Sequence, residues 1–122
     1  MDRIRVGIVG LGPIAQNAHL PAIEKARDIT LQAIADTDAA LREQIRLRYR
    51  PERVYQHSDD LFADSNVDLV ILAVSDRLHV PLARHAVQAA KHVLVEKPLG
   101  ITTRECEELR SLVSPDQVFA GL

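Results

Sequence analysis

IRVGIVGLGPIA, residues Ile4 to Ala15, is the stretch whose reading decides the fold. Ile4, Val6, Ile8 and Val9 read as a buried strand, and Gly10, Gly12 and Ala15 then fall in a GxGxxA pattern that opens a helix. Each small residue has its own task. Gly10 lets the backbone leave the strand sharply, Gly12 leaves no side chain between the main chain and a bound pyrophosphate, and Ala15 lets the new helix approach the sheet. Leu11, Gly12, Pro13 and Ile14 form the turn that faces the anion, where unpaired N–H groups and the helix dipole favour negative charge. Pro13 suits a first helical turn, which has no N–H partner to lose.

The rest of the composition narrows the function classes. At 122 residues the chain has room for one domain with one hydrophobic core, and is short for a two-domain enzyme. A net charge of -2, no Trp, two Tyr and two Phe supply neither a basic field nor stacking platforms, so nucleic acid is not expected as a partner. Cys106 is the single cysteine, which rules out an intrachain disulfide and a cysteine-based metal site. No apolar run approaches the ~18 residues of a membrane span. The N-terminus enters its first strand without an apolar leader, and the cytoplasm is the expected location.

Strand and helix alternate along the chain. A helix is expected from Pro13 to Arg27, with Ile14, Ala18, Ala22, Ile23 and Ala26 as its apolar stripe and a kink or break at Pro21. Strands follow at Ile29 to Asp36, Arg53 to His57, Val67 to Val74, His92 to Lys97 and Gln117 to Leu122. The near-continuous apolar run VDLVILAV marks a central strand covered on both faces. Helices are expected at Thr37 to Tyr49, Asp59 to Ala63 with Ser58 as its N-cap, Leu78 to Ala90, and Thr103 to Val113. This pattern specifies an α/β Rossmann fold, a doubly wound parallel sheet of order 3-2-1-4-5-6.

Asp36 ends the second strand roughly 20 residues beyond the glycine turn, where a carboxylate accepts hydrogen bonds from the ribose hydroxyls of NAD and repels the 2′-phosphate of NADP. Thr37, not an arginine, comes next, so NAD is the expected cofactor. Alternatively, Asp36 is only a turn residue.

With those residues in place the chain resembles the glucose-fructose oxidoreductase, inositol dehydrogenase and MocA family, in its N-terminal nucleotide-binding domain. GLGPIAQNAHLPAI, Gly10 to Ile23, is similar to the family's turn and first helix, and its His19-Leu20-Pro21-Ala22 tract accounts for the mid-helix proline. VSDRLHVPLARHAVQAAKHVLVEKPLG, Val74 to Gly100, resembles a second family signature that ends in Glu-Lys-Pro. Where the family often has Thr-Pro-Asn after strand four, this chain has Val74-Ser75-Asp76. Ala90 stands in place of a usual glycine.

The resemblance implies a cofactor loop formed by Ala73, Val74, Ser75, Asp76 and His79, and a site at the end of strand five formed by Glu96, Lys97 and Pro98. It places Lys97 beside substrate and nicotinamide, where an ammonium can hydrogen-bond a hydroxyl or carbonyl oxygen and stabilise developing charge. Glu96 would orient Lys97, contact the nicotinamide ribose, or form a loop ion pair. Pro98 fixes the following turn, and a cis Lys97-Pro98 bond is compatible with it. His79 is read as either site-lining or structural, His19 as structuring its helix, and the Arg42, Arg46, Arg48, Arg50 and Arg53 cluster as a solvated face or, alternatively, as a distant contact with the adenine end.

The expectation is therefore the cofactor domain of an oxidoreductase that moves a hydride between nicotinamide and a hydroxyl or carbonyl carbon of a sugar, cyclitol or related polyol. By the same resemblance, the family's substrate domain and oligomer interface lie outside this chain, which would bind nucleotide without turnover. The competing reading is a non-catalytic dinucleotide-sensing or regulatory module. A CoA- or nucleotide-binding ligase domain fits Asp36 and the Glu-Lys-Pro tract less well.

Overall fold

The computed structural model describes residues 3–97, 100 and 102–121. Its centre is a six-stranded parallel sheet of β1 (Ile4–Val9), β2 (Ile29–Ala35), β3 (Arg53–Tyr55), β4 (Leu69–Leu72), β5 (His92–Val95) and β6 (Phe119–Gly121). The spatial order is β3-β2-β1-β4-β5-β6, as the alternation of elements predicts.

β2, β3, β4 and β5 end earlier than the sequence pattern predicts, and the register explains why. Val9 pairs with Ala35 and Leu72, Ala35 with Tyr55, Leu72 with Val95, and Val95 with Gly121. Gly10 turns β1 away after Val9. Neighbouring strands then lose their ladder partners together, and one rim closes the whole sheet. Asp36, Ala73, Val74, Glu96 and Lys97, read as strand residues from sequence, all lie just past that rim.

The helices cover both faces. α1 (Leu20–Lys25) and α2 (Ala39–Tyr49) lie on one side, where Leu20, Ile23 and Ile45 meet Val6, Ile8, Ile34 and Ile71. α3 (Ser58–Phe62), α4 (His79–Gln88) and α5 (Thr103–Leu112) lie on the other, where Leu61, Val80, Ala83 and Leu109 meet Val70, Leu72, Val93 and Val95. Burial on two sides is what the unbroken apolar sequence of β4 requires. The connections leaving β1 and β4, neighbours in the sheet, depart to opposite faces and open a crevice at the rim.

Helical ends differ from expectation in informative ways. The first helical segment, 13–25, widens into a π turn over Ala15–His19 before α1. Pro21 has no N–H and its ring needs the preceding turn opened, and the Leu20 N–H reaches back five residues to the Ala15 carbonyl. That extra residue per turn rotates the buried face. Ala15, His19, Leu20 and Ile23 are buried, whereas Ala18 and Ala22 of the expected stripe are exposed and Ile14 is 44% exposed. α2 starts at Ala39, with the Asp38 carboxylate accepting the Leu41 N–H at 3.1 Å. Ser58 is the first residue of α3, not its cap, and His57 occupies the cap position without a side-chain bond. α4 is preceded by a single 3₁₀ turn, Asp76–Leu78.

Candidate dinucleotide site

Gly10 adopts φ +92, and a Cβ built there would stand 2.3 Å from the Ala73 carbonyl oxygen. β1 and β4 therefore leave the sheet in contact, with the Ala73 N–H donating to Val9 at 2.8 Å and the Gly10 N–H donating to Ala35 at 2.9 Å. Gly12 is the opposite case. A Cβ there would meet nothing within 4 Å, so open space stands over the turn where a pyrophosphate is expected, and the residues present fit that group. The turn is locked from behind by the Gln16 side-chain amide, which donates to the Leu11 carbonyl at 2.8 Å.

Asp36 has a second role that spacing did not reveal. Its Oδ2 accepts the Leu11 N–H at 2.8 Å, and its Oδ1 accepts the Asp38 N–H at 2.9 Å. The carboxylate is thus held at a fixed angle, each oxygen keeping lone-pair capacity for a further donor. The same bond engages the Leu11 amide, and the Leu11 side chain is fully buried, so Leu11 braces the turn from below. Arg42, assigned from sequence to a solvated face, donates from Nη1 to the Asp36 carbonyl at 2.8 Å. Arg46 and Arg48 of that cluster instead pair with Glu43 and Glu24 on the surface.

A crevice of about 220 Å³ opens beside Asp36. Gly10, Asp36, Thr37 and Val74 line it, as do Gln56, Ser58, Leu78 and Leu82, which sequence reasoning missed. Ser58 carried a usable signal, since a hydroxyl beside a rim strand is free for a ligand once it is not capping a helix. Gln56 and the two leucines carried none.

Beyond β4, the Val74 carbonyl accepts a hydrogen bond from His79 Nε2 at 2.9 Å. The His79 ring is only 1% exposed, which makes it a buried brace that shapes the Val74–Asp76 loop. Ser75 and Asp76 are exposed on that loop, and Pro13 and Ile14 are exposed at the helix start. Lys97 is exposed just past β5. Glu96 is half-buried and pairs with His19 Nε2. Pro98, with the Lys97-Pro98 bond, lies outside the described residues. Among the described residues, no cluster of three or more His, Cys, Asp or Glu side chains could hold a metal ion. Among the described residues, no helix is long and apolar enough to cross a membrane.

The chain as a whole is similar to known proteins over nearly all of its length. The family model of the Gfo/Idh/MocA oxidoreductases, an oxidoreductase family with an NAD-binding Rossmann fold, matches residues 4–120. The chain belongs to this family. Its similarity to the oxidoreductase YdgJ of Escherichia coli (strain K12) is 32% identity over 111 residues, 91% of this chain and 31% of the relative. A glycosyl hydrolase family 109 protein of Shewanella sp. is 32% identical over 123 residues, covering 89% of this chain and 26% of the relative. The crystal structure of scyllo-inositol dehydrogenase from Lactobacillus casei, with bound NAD(H) and scyllo-inositol, superposes with a TM-score of 0.92 at 26% identity. That match covers 98% of this chain and 36% of the dehydrogenase. The chain thus spans about a third of the length of these Gfo/Idh/MocA relatives.

Proposed function

We propose that this chain is the cofactor domain of an enzyme that moves a hydride between a nicotinamide cofactor and a hydroxyl-bearing or carbonyl carbon of a sugar, cyclitol or related polyol. The observation that carries the reading is the rim itself, where the Gly12 turn has open space above it and the fixed Asp36 carboxylate, bonded to the Leu11 N–H of that turn, lines a crevice together with Gly10. The scyllo-inositol dehydrogenase likeness supports the substrate class. Substrate contacts and any oligomer interface belong, on this reading, to a second domain, and the chain alone binds nucleotide without turnover.

The nicotinamide would supply the hydride chemistry, and the protein supplies position and electrostatics. The backbone around Gly12 holds the pyrophosphate at the start of the helix. Asp36 accepts the ribose hydroxyls and favours NAD over NADP by charge. Lys97 donates to the reacting oxygen, favouring the alkoxide character that grows as hydride moves.

Titration of the chain with NADH, followed by its fluorescence, is expected to saturate below millimolar concentration, and no saturation would sink the binding reading. In the protein that also carries the substrate domain, Lys97→Met is expected to lower kcat by about 100-fold or more. Undiminished turnover would remove Lys97 from the mechanism. The glycosyl hydrolase family 109 relative favours a second reading, in which the net reaction of the full-length protein is glycoside hydrolysis. The two part at one measurement, because a dehydrogenase accumulates NADH with its product whereas a hydrolase releases free sugar at constant NADH. A sensing module would bind NADH and do neither.

A further inference from the structure

We propose that His19 is a positioning residue for the nicotinamide end of the site, acting through Glu96. The inference rests on the dinucleotide reading above. His19 is 9% exposed, on a helical face whose other buried members, Ala15, Leu20 and Ile23, are apolar. A polar ring placed there is costly unless partnered. Its partner is Glu96, 77 residues away along the chain and one residue before Lys97.

His19 follows Ala15 by four residues and precedes Ile23 by four, so helical spacing puts it on their buried face, and it closes the π turn over Ala15–His19. Wide turns of this kind often mark functional positions in helices.

Glu96 needs such an anchor. β5 ends at Val95, and the Glu96 N–H reaches the Leu72 carbonyl only at 3.4 Å, beyond the usual range for such a bond. The side-chain bond to His19 ties this residue to the first helical segment as well. A carboxylate only accepts, so Nε2 carries the hydrogen, and the carboxylate's further lone pairs can take a hydroxyl of the nicotinamide ribose. His19 stands on the helical segment whose first turn faces the pyrophosphate. The pair thus ties the phosphate end of the site to the Glu96–Lys97 end, and an unanchored Glu96 would leave both residues without a set direction.

NADH and ADP titrations of this chain separate the two ends, because ADP carries adenosine and pyrophosphate but neither nicotinamide nor its ribose. His19→Leu is expected to weaken NADH about tenfold while leaving ADP unchanged. His19→Gln, which places an amide N–H near the position of Nε2, is expected to recover most of the loss. In a Glu96→Ala background, His19→Leu is expected to have no further effect. Equal weakening of both ligands, no recovery by Gln, or additive losses in the double variant would overturn the proposal and leave His19 a packing residue. If His19→Leu fails to fold, the Nε2–H resonance of wild-type His19 reads the same point. A shift with NADH but not ADP supports the proposal, and an equal response to both overturns it. A wild-type chain that binds neither ligand instead refutes the dinucleotide reading itself.

Discussion

Gly10 and Gly12 lie two residues apart and are expected to answer a single methyl group in opposite ways. Gly10→Ala puts a Cβ against the Ala73 carbonyl in a left-handed backbone conformation, and should destabilise the fold by at least about 2 kcal/mol in urea titrations. Gly12→Ala points its methyl into open space, so the urea midpoint should hold while NADH affinity falls about tenfold or more. The GxGxxA spacing already assigns these two roles, because a turn and a close approach are local demands on the backbone. Asp36 was legible only in part. Its place at a strand end follows from sequence, but its bond to the Leu11 N–H joins groups 25 residues apart and depends on how two strand ends meet. Arg42 was misread for the same reason, since a helical arginine looks solvated until its neighbouring loop is known.

Helix ends and turns obey local chemistry that the sequence states clearly in some places and conceals in others. Thr102 caps α5 by accepting the Glu105 N–H at 3.1 Å, a plain pattern of a hydroxyl three residues before its donor. The π turn was concealed. Pro21 announces a disturbance, yet a kink, a break and a widened turn all satisfy the same missing N–H, and the spacing alone does not choose among them. α4 ends on a Schellman arrangement, with the Ala90 N–H bonded to Val87 and the Lys91 N–H to Ala86, both at 3.0 Å. Ala90 sits there at φ +64, a position suited to glycine. Ala90→Gly is therefore expected to stabilise the chain by about 1 kcal/mol, read as a rise of about 4 °C or more in Tm. The departure from the family's glycine thus bears on stability.

Across the whole molecule, the two ends of the sheet are built for different purposes. The rim away from the crevice is stapled by polar side chains. Arg5 grips Asp68 through Nε and Nη2 at 3.2 Å and through its backbone N–H at 2.9 Å, and buried Lys91 donates to the Asp64 and Val67 carbonyls at 2.7 Å. None of these contacts shows in periodicity, because each joins residues far apart along the chain that only the assembled sheet brings together. The Arg5 hydrogen bonds hold the Asp68 carboxyl below its ordinary value, while burial pulls the Lys91 amine down. For Asp68 the linked stability is complete above the unfolded-state value near pH ~4 and is lost as pH falls through the depressed folded value. Asp68→Asn should accordingly lower stability at pH 7 by less than about 1 kcal/mol, the pair being partly solvent-exposed. Urea midpoints of variant and wild type should converge as pH falls below the depressed folded value. At the opposite rim, the Asp36 bond to Leu11 has a consequence for anyone who would retune the chain toward a 2′-phosphorylated nucleotide. Removing the side-chain acceptor along with the charge would also unlatch the glycine turn. A workable exchange must therefore change the sign of the ribose pocket while keeping an acceptor beneath Leu11, which an asparagine retains and an alanine does not.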